Sequence, residues 1–279
     1  MAIKVITDST SDISPQTARE LNIGIVPIYI RFGDDVYRDG VDIQNEEFYR
    51  MLTNHPIHPA TSQPNPQDFV NIYSEHIKEY DGIVSIHISS KISGTYNAAR
   101  IAKQMMNDPA AIEVIDSKFN SGGLGLVVKA AAMAAQYGGG IKEVAQEAKN
   151  AIEHVSMFGI FQTMKYLSRS GRVSKMIAAV ARILHVMPLL TFSDGEVVRA
   201  GLVRKVQKGI DRIYDFVKSN TPVTALTIVH SQVRDQAERL KKLLGEFVAE
   251  ERIEIDELGA GLGVHGGPGV LLVALKKYT

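Results

Sequence analysis

Ser93, Gly94 and Thr95 stand where an alternating β-branched run, Ile83-Val84-Ser85-Ile86-His87-Ile88, gives way to an alanine-rich helical pattern. That order predicts a strand, a tight turn and a helix. Such a turn gathers backbone N–H groups, since four amides at a helix start lack an intrahelical partner and the macrodipole adds roughly half a positive charge. An anion is welcome there. Ser93 and Thr95 would add hydroxyl donors, and Gly94 would let a ligand approach the main chain closely. Capping the helix is the commoner use of such residues, so both readings stay open on this segment alone.

Other chemistries fit less well. Nothing matches the phosphate-binding pattern G-x-x-x-x-G-K-[ST], and Gly261-Leu262-Gly263-Val264-His265-Gly266 satisfies G-x-G-x-x-G only formally. A final strand is expected directly after it, which leaves no helix start to receive a pyrophosphate. His55 and His58 have no supporting cysteine or carboxylate cluster, so no metal is expected. Ser93 and His265 are the pair a nucleophilic acyl hydrolase would need, but Ser93 is not in a G-x-S-x-G elbow and no third residue can be placed behind the histidine. His265 lies among glycines, which favours a ligand-facing position over the core.

The elements that must position these residues read as an α/β chain. Ile3–Ile6 is a strand, with Thr7-Asp8-Ser9-Thr10 at its C-terminal end, where open sheets hold ligands. Ser14-Pro15 starts a helix, Ile23–Phe32 reads as one strand, and Asn45–Leu52 as a helix. Four prolines keep His55–Pro66 out of helix and central strand, and Asn65-Pro66 caps a helix to about Tyr80. Strand Ile112–Ile115, a small-residue helix from Gly122 to Tyr137 and an amphipathic helix Ile141–Val155 follow. Beyond them Met157–Thr163 is a strand, Leu167–Val173 a basic turn before a helix to Leu184, and Asp194-Gly195 a hairpin turn. Helices to Ser219 and Glu250 alternate with strands Val223–Val229 and Ile253–Leu258, and a glycine loop leads to the strand Val270–Leu275. Two α/β domains are expected, 1–154 with a mostly parallel, Rossmann-like sheet and 155–279 with a mixed sheet.

Composition narrows the class. With 279 residues, 45% of them hydrophobic, the chain can bury a large core. The absence of cysteine excludes disulfides and thiolate chemistry. Thirty-one basic residues balance 31 acidic ones, which argues against nucleic acid as the main partner, although the part after His154 carries the basic excess. No apolar run reaches the length of a membrane span and the N-terminus enters a strand at once, so a cytoplasmic protein without stable membrane insertion is expected.

Thr7-Asp8-Ser9, Thr61-Ser62-Gln63-Pro64, Ile88-Ser89-Ser90 with Ser93-Gly94-Thr95-Tyr96, Ile115-Asp116-Ser117, Gly171-Arg172 and His265-Gly266-Gly267-Pro268-Gly269 occur together, in order, over nearly the whole chain. This set resembles the DegV family. The resemblance implies a long-chain fatty acid, such as palmitate, held between two α/β domains, and no other cofactor. It implies a carrier and not an enzyme by itself: the fatty-acid-binding subunit of a bacterial fatty acid kinase, whose separate ATP-using subunit turns the acyl carboxylate into an acyl-phosphate for phospholipid synthesis. By that likeness Thr61 and Ser93 would hydrogen-bond the carboxylate, with Ser62, Gly94, Thr95 and His265 around it, and Arg169 and Arg172 would lie near the mouth toward the kinase. Ser170 stands where many relatives have a glycine. An acyl hydrolase and a regulatory lipid sensor are the alternatives.

The implied ligand sets its own requirements. Burying about fourteen methylenes at roughly 0.8 kcal/mol each gives about 11 kcal/mol gross, so the tail supplies the affinity. Ile28, Ile30, Phe158, Ile160, Phe161, Ile177, Val180, Ile183 and Leu184 are candidates for the lining, although ordinary core is the commoner place for any of them. Neutral hydroxyls and helix-start amides would hold the head while leaving an oxygen free to attack a γ-phosphate.

Overall fold

The computed structural model describes residues 2–171 and 186–278. In chain order these form β1 (Ile3–Asp8), α1 (Pro15–Glu20), β2 (Ile23–Val26), β3 (Tyr29–Phe32), β4 (Asp35–Arg38), α2 (Asn45–Asn54), β5 (Ala60–Ser62), α3 (Pro66–His76), β6 (Gly82–His87), α4 (Thr95–Met105), β7 (Ile112–Asp116), α5 (Ser121–Gln136) and α6 (Ile141–His154). Then come β8 (Val155–Phe161), α7 (Lys165–Ser170), β9 (Met187–Ser193), β10 (Glu196–Val203), α8 (Val206–Ser219), β11 (Val223–His230), α9 (Arg234–Leu244), β12 (Ile253–Glu257), α10 (Ala260–Gly266) and β13 (Val270–Lys277).

A parallel sheet of order β2-β1-β6-β7 is built wholly from the first part of the chain. Every residue of β1 and β6 is buried, as expected of parallel strands covered on both faces. The second part forms a six-stranded mixed sheet, β10-β9-β8-β13-β11-β12, in which only β11 and β12 pair in parallel. The two-domain α/β architecture read from the sequence is therefore the observed one. Helix α5 lies between the two sheets, and its side chains share one core with Val84 and Ile86 of the first and Val229 and Ala274 of the second. Its small residues allow this: a Cβ at Gly122 would come within 3.1 Å of Val229 and 3.2 Å of Ala274.

Several elements depart from the sequence reading. Ile23–Phe32 is two strands in different sheets. Pro27 lacks an N–H and interrupts the run, and β3 pairs antiparallel with β4 and β5 in a small third sheet. The polar, proline-rich loop thus contributes a short edge strand, β5. Helix α3 has its expected Asn65 cap but stops at His76, short of Tyr80. Helix α9 stops at Leu244, and the short 3-10 turn Glu250–Arg252 follows separately. The basic segment begins as helix α7 and ends on left-handed Gly171 (φ 63°). The last glycine stretch is a helix, α10, and not a loop. The helix expected up to Leu184, with Arg172, Ile177, Val180 and Ile183, lies outside the described residues.

Candidate functional site

The order β2-β1-β6-β7 reverses its direction of winding between β1 and β6, and ligands of open α/β sheets bind beyond the strand ends at such a switch point. Residues just past both ends, Thr10 after β1 and Ile88, Ile92 and Ser93 after β6, line a cavity of about 450 Å³. That volume falls within the roughly 300–1,000 Å³ of small-molecule sites. The opposite wall comes from the second sheet and its connections: Phe161, Leu190, Val197 and Leu272, with Leu258 just before α10 and Leu262 within it. The interior is apolar on these faces and polar at Thr61, Ser62, Gln63, Ser93 and His265, with Thr10, Asn120 and Ser121 as further polar wall residues. A largely apolar slot with polar groups set into its wall is the result.

The turn bearing Ser93 is folded onto a single carbonyl: the amides of Ile92 and Ser93 both donate to Ser89 O at 3.0 Å. Ser93 Oγ lies 2.8 Å from Thr95 Oγ1 and accepts from the Thr95 N–H at 3.3 Å. Ser93 lines the cavity, and its Oγ also meets the first amide of α4, whose N-cap is Gly94. Thr95 is fully buried behind Ser93 and supports it rather than lining the wall. Gly94 lines the cavity, and a Cβ there would overlap the Gln63 carboxamide.

Thr61 is placed by the pairing of β5 with β3, opposite Ile30. Its Oγ1 lies 2.8 Å from His265 Nε2, which joins the first part of the chain to the last at the cavity wall. Ser62 follows it on the cavity wall. Arg169 is exposed on α7 and is not part of the wall, although Leu167 of the same helix is. Burial lowers the basicity of His58, and the nearby positive charges of Arg169 and Lys165 lower it further. The His58 ring lies 5.8 Å from that of Tyr166. Cationic α7 thus borders the loop that carries Thr61. Of the expected lining, Ile28 and Phe161 face the cavity, while Ile30, Phe158 and Ile160 belong to packed cores elsewhere.

A support for this wall escaped the sequence reading. Asp8 Oδ1 accepts from the Thr10 N–H at 3.1 Å and from Thr10 Oγ1 at 2.5 Å. Its Oδ2 accepts from the Ile88 N–H at 3.1 Å and contacts His87 Nδ1 at 3.0 Å. His87 Nε2 lies 2.7 Å from Ser85 Oγ, which accepts from Tyr73 Oη at 2.8 Å. A Ser-His-Asp relay therefore exists, made of Ser85, His87 and Asp8, but all three are sealed from solvent and Ser85 and His87 lie off the cavity wall. It fixes Thr10 and Ile88 in place. Asp8 was visible at a strand end, but nothing in a buried parallel strand marks Ser85 and His87 as its partners.

Among the described residues no group of three or more metal-ligating side chains converges, and no helix is long and apolar enough to cross a membrane.

Comparison with known proteins gives one consistent answer. The family model described as an uncharacterised protein of the DegV family matches residues 2–277. A DegV domain-containing protein of Caldanaerobacter subterraneus is 33% identical over 270 residues, 95% of each chain. Among solved structures, a Thermus thermophilus DegV family protein described by its fatty acid binding superposes with a TM-score of 0.90 at 29% identity, covering 99% of this chain and 100% of its own. DegV of Bacillus subtilis, described as a fatty acid binding protein, superposes with a TM-score of 0.87 at 27% identity over 99% of this chain and 100% of its own.

Proposed function

This chain belongs to the DegV family, and from that premise we propose that it binds a long-chain fatty acid in the cavity between its two sheets and presents the carboxylate to a separate ATP-dependent kinase subunit. The observation that carries this reading is the make-up of the cavity: a largely apolar wall into which Thr61, Ser62, Ser93 and His265 bring hydroxyls and one imidazole, with Thr61 hydrogen-bonded to His265. Thr61, Ser93 and His265 hold the carboxylate, while Ser62, Gly94 and the buried Thr95 shape and support that part of the wall. The fatty acid binding described for the Thermus and Bacillus proteins supports it.

Holding is favoured over hydrolysis. His265 Nε2 is engaged with Thr61 Oγ1, and Ser93 Oγ with Thr95, so the serine and histidine are arranged as separate donors around an anion. Neutral donors tolerate the added charge when the carboxylate becomes an acyl-phosphate. Exposed Arg169 supplies positive charge on which the kinase subunit docks, and Arg172, given the same role by the family likeness, lies outside the described residues. The units 1–154 and 155–279 serve as the two walls, and the protein works in the cytoplasm.

Palmitate-loaded protein incubated with ATP and a fatty acid kinase subunit tests the proposal. Acyl-phosphate formation that depends on this chain is the expected result. Binding without phosphorylation would leave a lipid sensor, and release of free acid from acyl esters would restore the hydrolase.

A further inference from the structure

Helix α10 carries His265 but has no side-chain cap of its own, because its N-cap is Gly259. Carboxylates from the other end of the chain meet its first amides instead. Asp12 Oδ1 accepts from the Gly259 N–H at 2.9 Å, and Asp39 Oδ2 from the Gly261 N–H at 3.2 Å. Tyr49 Oη donates to the Leu258 carbonyl at 2.9 Å. Both acids are also tied to the opposite wall. Asp12 Oδ2 accepts from Ser121 Oγ at 2.5 Å, and Asp39 Oδ2 from Ser9 Oγ at 2.8 Å, while Ser9 Oγ accepts from the Ile28 N–H at 3.1 Å. Ile28, Ser121, Leu258 and Gly261 all line the cavity. Asp12 and Asp39 are 8% and 6% exposed, and neither lines it.

We propose that Asp12 and Asp39 are positioning residues, a two-carboxylate clasp that sets α10 and with it the Thr61–His265 pair, and that proton binding to the clasp regulates how firmly the acyl head group is held. The proposal rests on reading the cavity as a fatty-acid site.

The direction of the regulation follows from the surroundings. Asp39 faces Asp8, the Ser9 hydroxyl and the amides of Ala260 and Gly261. Asp12 faces Asp39, Asp256 of β12, the Ser121 hydroxyl and the Gly259 amide. Tyr49 of α2 faces Asp12, Asp39 and Glu257. The cluster is dry and of one sign. Burial raises Asp39 from 3.8 to about 6 and lifts Asp12 well above the ordinary carboxylate range. Opening the clasp to water returns both toward that range, so the closed form binds protons more tightly than the open one. Protons therefore favour closure, and raising the pH through about 6 loosens it.

The test is the rate at which loaded, full-length protein transfers a fluorescent fatty acid to phospholipid vesicles, measured from pH 5 to pH 8. The wild type should release at least threefold faster at pH 8, with a midpoint near 6. Asp39→Asn should flatten that step, and Ser9→Ala, which removes a hydrogen bond to the ionised form, should move it to higher pH. Each measurement is repeated with His265→Gln, which separates the clasp from the imidazole. A step that survives His265→Gln and disappears with Asp39→Asn supports the clasp. A step that follows His265 alone overturns it, as does a pH-independent wild-type rate. If wild-type protein takes up no fatty acid, the cavity reading falls, and the clasp is judged by the backbone amide ¹⁵N shifts of Gly259 and Gly261. A step near pH 6 that Asp39→Asn removes supports it, and curves without a step, or unchanged by Asp39→Asn, overturn it.

Discussion

Replacing Thr61 with valine separates the head-group site from the tail slot. Both residues are β-branched and suit the short strand β5, so the change removes a hydroxyl and little else. In the empty protein the loss is one partly buried bond to His265, at 2.8 Å. That costs about 0.5–1.5 kcal/mol of stability. In the loaded protein the hydroxyl donates to a carboxylate, and a hydrogen bond to a charged group contributes about 1.5–3 kcal/mol. At about 1.4 kcal/mol per decade, fatty-acid affinity should fall by about 10- to 150-fold. Displacement of a fluorescent fatty acid measures this directly, and a fatty alcohol of equal length is the control. The alcohol has no charge to lose and should weaken by less than about tenfold, as a neutral hydrogen bond of about 1 kcal/mol predicts. Equal losses for acid and alcohol, or no loss for the acid, would refute the assignment of Thr61 to the carboxylate.

Three further outcomes follow from the packing. Asp8→Ala strips the acceptor from the Thr10 amide and hydroxyl, the Ile88 amide and His87, all buried, and should cost more than about 3 kcal/mol in denaturant unfolding. Gly263→Ala places a methyl 2.6 Å from Phe48 Cε1 and 2.8 Å from Tyr49 Oη, so despite alanine's better helix propensity it should lower stability by about 1–3 kcal/mol and disturb His265 two residues on. The raised carboxyl of Asp39 makes the native state bind protons that the unfolded chain releases. Its contribution is full below pH 3.8 and fades as the pH rises through about 6. Asp39→Asn should therefore gain stability relative to the wild type between pH 5 and pH 8, by about 3 kcal/mol at most, read from melting curves across that range.

The legible part of the molecule is the part governed by local rules. Ser14-Pro15, Asn65-Pro66 and Asp194-Gly195 mark two helix starts and a hairpin, and all three are found there. The alternation of strand and helix up to His154 was enough for the parallel sheet, and Thr10 and Ser93, read as strand-end hydroxyls, line the cavity. What stayed hidden depends on contacts distant in sequence. Helix α10 looks like a loop because its glycines are poor helix formers. It is held as a helix by Asp12, Asp39 and Tyr49, more than 200 residues away. Pro27 divides what reads as one apolar run, because β3 finds its partners in a different sheet. The roles of Asn120 and Ser121 at the cavity depend on which helix start and which strand end meet, and a strand pattern does not encode that. Phe158 and Ile160 look like tail lining by composition but pack into the core of the second sheet.

The central claim is that the cavity carries a fatty acid, and the most direct test is to extract purified, untreated protein with organic solvent and identify the released lipid by mass spectrometry. The account predicts long-chain fatty acid near one per chain, lost from Ser93→Ala protein during washing. An empty extract, from protein that also fails to take up added fatty acids, would contradict it.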